Sequence, residues 1–300
     1  MAHGSRLCPG YGRRGGSVSA TITSDGWSTA PAALAANADR FLALAGSVRP
    51  DTMATADWTV TDTLAHLVSL AWYYVRLVDP ASEPLPIPGL DEQLPLVTVD
   101  TVADANDLVL RHLTDRDPAR LLDRLRGDVD RLLARCADRG PDEVVPWLGD
   151  ARVPLAGLLA HLVNELLVHG HDIARAARRP WTLPPRDAAL FLELFMAGVV
   201  RHGYGRLLDG VNPPRRPRIV VRFTSAWSAP LTLTMDHGRV RFAEPAERPD
   251  VTIRFHPPTL NLMMFGRVSR ARAVLTGRVR IGGPRPWLLP SFLRVFRTPS

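Results

Sequence analysis

The sequence contains no lysine; all 37 of its basic residues are arginine. Lysine codons are A-rich, so a G+C-rich coding sequence accounts for this bias and no function follows from it. Cysteine is almost absent as well. Cys8 falls in a Gly/Arg/Ser-rich N-terminal stretch and Cys136 in a helical one, so a disulfide between them would staple nothing and reduced thiols are expected. There is no Cys-x-x-Cys, which restricts any metal site to histidine and carboxylate ligands. No run of about 18 apolar residues is present to form an integral membrane segment. The N-terminus has no apolar core of signal-peptide length, so the cytoplasm is the expected compartment. Residues 1–25 read as a disordered tail, as a start codon placed too far upstream would produce. Acidic residues are missing from one region: positions 251–300 carry nine arginines and no Asp or Glu, more positive charge than the net +7 of the whole chain. Such a field suits an acidic ligand, a membrane surface or nucleic acid, and equally a plain solvated basic face. No aromatic residues are interleaved for base stacking, so no nucleic-acid partner is expected.

What the sequence does hold is enough for one large or two ordinary domains: 300 residues, 46% apolar and 22% charged. Apolar residues recur at helical spacing over 32–48, 57–80, 99–113, 118–137, 154–178 and 185–208. Pro31 suits the first turn of the first helix and Gly46 its end. Thr59 followed by Asp62 suits the start of the second. Five prolines between 80 and 97 indicate a long loop. The outer face of the 118–137 helix alternates Asp123, Arg124, Asp128, Asp130 and Arg131, and is expected to be solvated. Residues 146–153 read as irregular. The Pro/Arg-rich stretch 209–217, DGVNPPRRP, marks a boundary. Beyond it the apolar period becomes two. Strands at 231–235 and 239–242 flank an Asp236-His237-Gly238 turn, and 251–255 alternates in the same way. Short helices at 257–265 and 268–275, a strand at 278–281 and a last helix at 285–296 complete the pattern. The expected fold is an α-helical up-down bundle over 26–208 followed by a small α+β domain over 217–300.

The chemistry concentrates in PLAGLLAHLVNELLVHGHDIARAAR, residues 154–178. His161, Glu165 and His169 sit at i, i+4 and i+8; each step of four advances about 40° around a helix, so the three share one side with Leu158, Leu162 and Leu166. Burying such a stripe costs several kcal/mol unless something compensates it. The pentapeptide LAHLV occurs twice, at 64–68 and 159–163, and each copy sets a histidine in an apolar ladder. In an antiparallel bundle those faces meet, which brings His66 within reach of Glu165 and His169. Imidazole and carboxylate suit zinc or a similar divalent ion; a hydrogen-bonded buried network is the alternative. Four candidates, His66, His161, Glu165 and His169, compete for three protein positions, since a catalytic zinc keeps one site open. Asp172 can orient a ligand from behind. His171 points away from His169.

The segments DWTVTDTLAHL and HLVNELLVHGHDIARAARRPW resemble the mycothiol-dependent maleylpyruvate isomerase family, a branch of the DinB-like metal-binding four-helix bundles. Trp58-Thr59-Val60 ahead of His66, and Glu165-x-x-x-His169 followed by Asp172 and Ile173, carry the resemblance. DVTIRFHPPTLNLMMFGRVSRARAVLTGRVRIGG, from Asp250 onward, is similar to the sterol-carrier-protein-like domain that often follows this bundle. The resemblance implies His66, Glu165 and His169 as ligands of a divalent metal, typically zinc, with His161 as a reserve ligand or a proton carrier. It implies Arg267 as a residue facing the substrate.

The implied activity uses mycothiol as a low-molecular-weight thiol cosubstrate. A metal-bound thiolate adds to an acidic or electrophilic small molecule, and rotation and elimination then give isomerisation. Stopping after addition gives the alternative, a mycothiol S-transferase acting in detoxification. A non-catalytic metal- and lipid-binding protein is a further alternative. A monomer or weak homodimer is expected.

Overall fold

A computed structural model describes residues 24–208 and 218–297. The tail, Cys8 and the 209–217 boundary lie outside the described residues, apart from the first turn of a helix that begins at Ser24. That helix, α1 (Ser24–Ala45), starts eight residues before the expected position, with Pro31 inside it rather than in its first turn. Next come α2 (Val60–Val78), the single turn α3 (Leu90–Gln93), α4 (Val102–His112) and α5 (Pro118–Cys136). The turn α3 and the 3-10 turn after it, Leu94–Leu96, lie inside the proline-rich segment expected to be all loop. The stretch expected to be irregular holds a small hairpin, β1 (Val144–Pro146) with β2 (Arg152–Pro154), which leads into α6 (Leu155–Ala176).

Helix α6 is buried on every side through its first four turns, as a helix apolar all round must be. It packs against α1 and α2, and α5 closes on α2. Helix α2 starts on a capping box: the Thr59 side chain accepts from the Asp62 backbone N–H, and the Asp62 carboxylate accepts from that of Thr59. The expected single helix after α6 is interrupted. It runs as α7 (Pro185–Leu190), a π-helical turn (Phe191–Met196) and α8 (Ala197–His202), and ends before Gly203, whose φ of 110° disfavours a side chain. One surface expectation also fails. Asp128 is fully buried, because Arg124 and Arg131, one turn to each side, fold over its carboxylate at 2.7 and 2.8 Å.

The second unit is a five-stranded sheet with short helices. Its strands are β3 (Arg218–Thr224), β4 (Leu231–Asp236), β5 (Arg239–Phe242), β6 (Val251–Phe255) and β7 (Val279–Gly282), in the order β5-β4-β3-β6-β7. Only the β3–β6 pair is parallel. The central strand, β3, is the one the alternation pattern misses: Ile219, Val220 and Val221 are all buried, so no period of two is visible. Helices α9 (Pro257–Met264), α10 (Arg270–Leu275) and α11 (Leu289–Val295) complete the unit. Phe223 of β3 meets Phe292 and Phe296 at ring separations of 6.3 and 6.0 Å to form its core.

Helix α9 is the seam to the bundle. Asn261, 1% exposed, donates to Asn164 Oδ1 on α6 and to the Ala188 carbonyl on α7, at 2.8 and 2.9 Å. Gly266, with φ of 75°, then turns the chain so that Arg267 faces back towards α6.

Candidate metal centre

The two LAHLV helices bring their polar residues together as the bundle argument requires. His66 Nε2 lies 3.5 Å, and His169 Nε2 3.3 Å, from Glu165 Oε2; all three residues are buried. Their ligand atoms fall within 4.8 Å of one another, and they form the one such group among the described residues. The His–Glu distances exceed the usual 2.7–3.2 Å of an N–H···O bond. Ligand atoms held at about 2.0–2.1 Å around a tetrahedral ion sit roughly 3.3–3.4 Å apart, close to the two His–Glu spacings here. Two imidazoles and a carboxylate are also a donor set that zinc takes. On both counts the residues fit a divalent ion.

Electrostatics favour the ligating protonation states. Burial holds the His66 imidazole below its ordinary value, outweighing the pull of Glu165, so it stays neutral. Burial pushes the Glu165 carboxyl up, but the close approach of the His169 and His66 imidazoles and the interaction with His161 outweigh it, and the group stays well below the usual carboxylate range. Trp58, at the mouth of α2, packs over both histidines, with ring separations of 4.9 Å to His66 and 5.9 Å to His169.

His161 stands one turn away, with Nε2 3.8 Å from Glu165 Oε1. Its Nδ1 lies 2.9 Å from the Tyr74 hydroxyl, which in turn accepts from Trp147 Nε1 at 3.2 Å. Burial raises the Tyr74 phenol well above its ordinary value, so its proton stays in place. Donating that proton to His161 Nδ1 is the arrangement that leaves no buried hydroxyl proton unpaired. The imidazole then carries its own proton on Nε2, facing the glutamate. Burial lowers the His161 pKa to about 4, so the ring is neutral, and the π-helical turn sets Phe195 against it at 4.5 Å. A ring protonated on Nε2 offers no lone pair there, which separates His161 from the ligand group. Tyr74 was legible in part, eight residues after His66 on the same stripe; Trp147, on the hairpin, had no sequence signal.

Arg267 lines the site, but its guanidinium is engaged. Nε and Nη2 meet Asp172 at 3.1 and 2.7 Å, and Nη1 donates to the Phe265 carbonyl at 2.6 Å. Asp172, in turn, places Oδ2 3.7 Å from His169 Nδ1, too far for a hydrogen bond, and that nitrogen has no other protein partner. His171 does not line the cavity. The cavity beside the three ligands has a volume of about 620 Å³; bundle residues such as Leu70, Val168 and Arg175 and second-unit residues Phe265 and Arg267 all line it.

The fold and site define a class: a helical bundle that presents a two-histidine, one-glutamate ligand set to a cavity covered by a sterol-carrier-like unit. Comparison narrows it. The family model of the mycothiol maleylpyruvate isomerase N-terminal domain matches residues 32–174, and that of the SCP-2 sterol transfer family matches residues 218–286. Two solved structures of mycothiol-dependent maleylpyruvate isomerase are similar. One, a histidine-to-alanine mutant, is 11% identical over 85% of this chain and 92% of its own, with a TM-score of 0.50. The other is 12% identical over 81% and 90%, with a TM-score of 0.48. Among curated proteins none matches by sequence. Residues 32–174 thus form a domain of the mycothiol maleylpyruvate isomerase N-terminal type, followed by an SCP-2-like domain over 218–286.

Proposed function

We propose that this chain is a metal-dependent enzyme that uses mycothiol to isomerise an acidic or electrophilic small molecule. The bundle over 26–208 supplies the metal ligands, and the unit over 217–300 covers the cavity. Zinc is the ion that the donor set fits best. The observation that carries this reading is the convergence of His66, Glu165 and His169 on one wall of a cavity large enough for a small substrate. A divalent ion held there supplies Lewis acidity that keeps a thiol sulfur deprotonated at neutral pH.

The chain's own residues prepare the site. Neutral His66 and ionised Glu165 need no proton loss before they bind an ion. His161 directs its Nε2–H at Glu165 and steadies the carboxylate; a proton reaches or leaves a substrate through that same nitrogen. Trp58 keeps water off the two histidine rings. The thiol is read as a cosubstrate; among the described residues the cysteine, Cys136, is buried and does not line the cavity, its thiol raised to about 11 by burial. The reading places the protein in the cytoplasm, where mycothiol is reduced, as a monomer or weak homodimer.

One observation favours a second reading. Arg267 can hold a substrate carboxylate only by sharing a guanidinium already forked on Asp172. That suits transfer of the thiol to an uncharged electrophile, an S-transferase reaction. Metal-loaded protein supplied with mycothiol and a cis-enedioic acid separates the two by NMR. Trans product with the thiol regenerated supports isomerisation, and a stable thioether supports transfer. Neither product, with metal retained and a lipid co-purifying, marks a non-catalytic binding protein instead.

A further inference from the structure

Alternate residues of a strand point to opposite faces of its sheet; the Val220–Thr234 pair is buried on the second face too, but beyond it, towards β6 and β7, the register separates the two faces. Val221, Leu233, Ile253 and Val279 lie on the face that the helices cover. The other face carries Arg222 on β3, Arg254 on β6 and Arg280 on β7, all exposed. Arg254 and Arg280 are direct cross-strand partners, and Arg222 is paired with Thr252, two residues before Arg254. Like charges directly opposite destabilise a ladder. Elsewhere on this face the charge is neutralised: Glu247 bridges Arg218 and Arg241. No acidic side chain pairs with Arg222, Arg254 or Arg280 among the described residues, and positions 251–300 contain none.

A second observation lies at the rim. Strand β7 is an edge of the sheet. Leu275, four residues before it, is 86% exposed, and Trp287, five residues after it, is 67% exposed; Ile281, 42% exposed, pairs with Ile253 and belongs to the helix side of the edge. Arginines on one face of the sheet, with exposed aliphatic and indole side chains on the segments that flank its edge strand, match the headgroup and acyl boundary of an anionic bilayer. Nucleic acid fits less well, because no aromatic residue stands among the three arginines to stack on bases. Edge-to-edge pairing with a second copy sets β7 arginines against each other. We propose that the open sheet face and the β7 edge form a peripheral docking surface for anionic phospholipid membranes, with Arg222, Arg254 and Arg280 on the headgroups and Leu275 and Trp287 in the interface.

This inference is independent of the metal site. The test is flotation of the full chain with phosphatidylcholine vesicles, with and without roughly a third phosphatidylglycerol. Binding is expected only to the anionic vesicles, and to fall with added salt. Each arginine at such a surface contributes about fivefold, so Arg254→Gln with Arg280→Gln weakens binding about 25-fold. Both side chains are exposed and the variant relieves a like-charge pair, so its melting temperature stays at or above the wild-type value. Trp287→Ala removes the quenching of tryptophan fluorescence by brominated lipid. Equal binding to neutral vesicles, wild-type binding by the double arginine variant, or tight binding to a DNA duplex without binding to vesicles overturns the proposal. So does a dimer, detected by sedimentation, that the same variants dissociate.

Discussion

Replacing Arg267 with methionine removes the charge that holds the second unit to Asp172 while keeping much of the side chain's bulk. The Asp172 carboxylate is 2% exposed and Arg267 25%. Removing one partner of a buried ion pair costs about 3–5 kcal/mol, because the other charge is left uncompensated. Arg267 is partly solvated and water can enter the vacated fork, so about 2–4 kcal/mol is the expected loss here. Urea unfolding of the metal-free protein measures it, with Asp172→Asn and the double variant completing a cycle. The double variant is expected to lose less than the two singles combined, by at least about 1 kcal/mol. If Arg267→Met changes stability by under about 0.5 kcal/mol, the fork on Asp172 does not exist in solution and the seam argument fails.

Two more outcomes follow from the same geometry. In metal-free protein, the folded pKa of His161 is near 4, below its ordinary 6.5. The unfolded chain therefore binds the extra proton, and stability falls as pH drops from 6.5 to 4, by about 3 kcal/mol; His161→Gln should flatten that part of a denaturation-versus-pH profile without changing stability trends above pH 6.5. Gly170→Ala places a Cβ 2.3 Å from the Trp181 ring, which lies directly on the helix beside His169. The expected cost is about 1–3 kcal/mol by thermal melt, from overpacking, with a red-shifted Trp181 emission as the ring is displaced.

The helices and the His/Glu stripe were legible because both signals are local and periodic. Glu165 and His169 share a helix face by arithmetic, and the repeated LAHLV pointed to His66 across 99 residues. The features that escaped depend on contacts without a period. Strand β3 is buried on both faces over Ile219–Val221, so it shows no alternation. Asp128 looked like one more charge on a solvated face, yet two arginines fold it inward. Trp147 reaches Tyr74 from a hairpin whose residues read as irregular. Arg267 was recognised as facing the site, but its partner could not be read, because Asp172 and Arg267 are 95 residues apart and join two units.

The account rests on three residues holding one ion, and elemental analysis of the purified protein by mass spectrometry tests this most directly. One divalent ion per chain is expected in the wild type and in His161→Gln. His66→Ala, Glu165→Ala and His169→Ala are each expected to lose it while keeping their helical circular dichroism. Stoichiometric metal that survives all three substitutions, or that disappears with His161→Gln alone, contradicts the assignment.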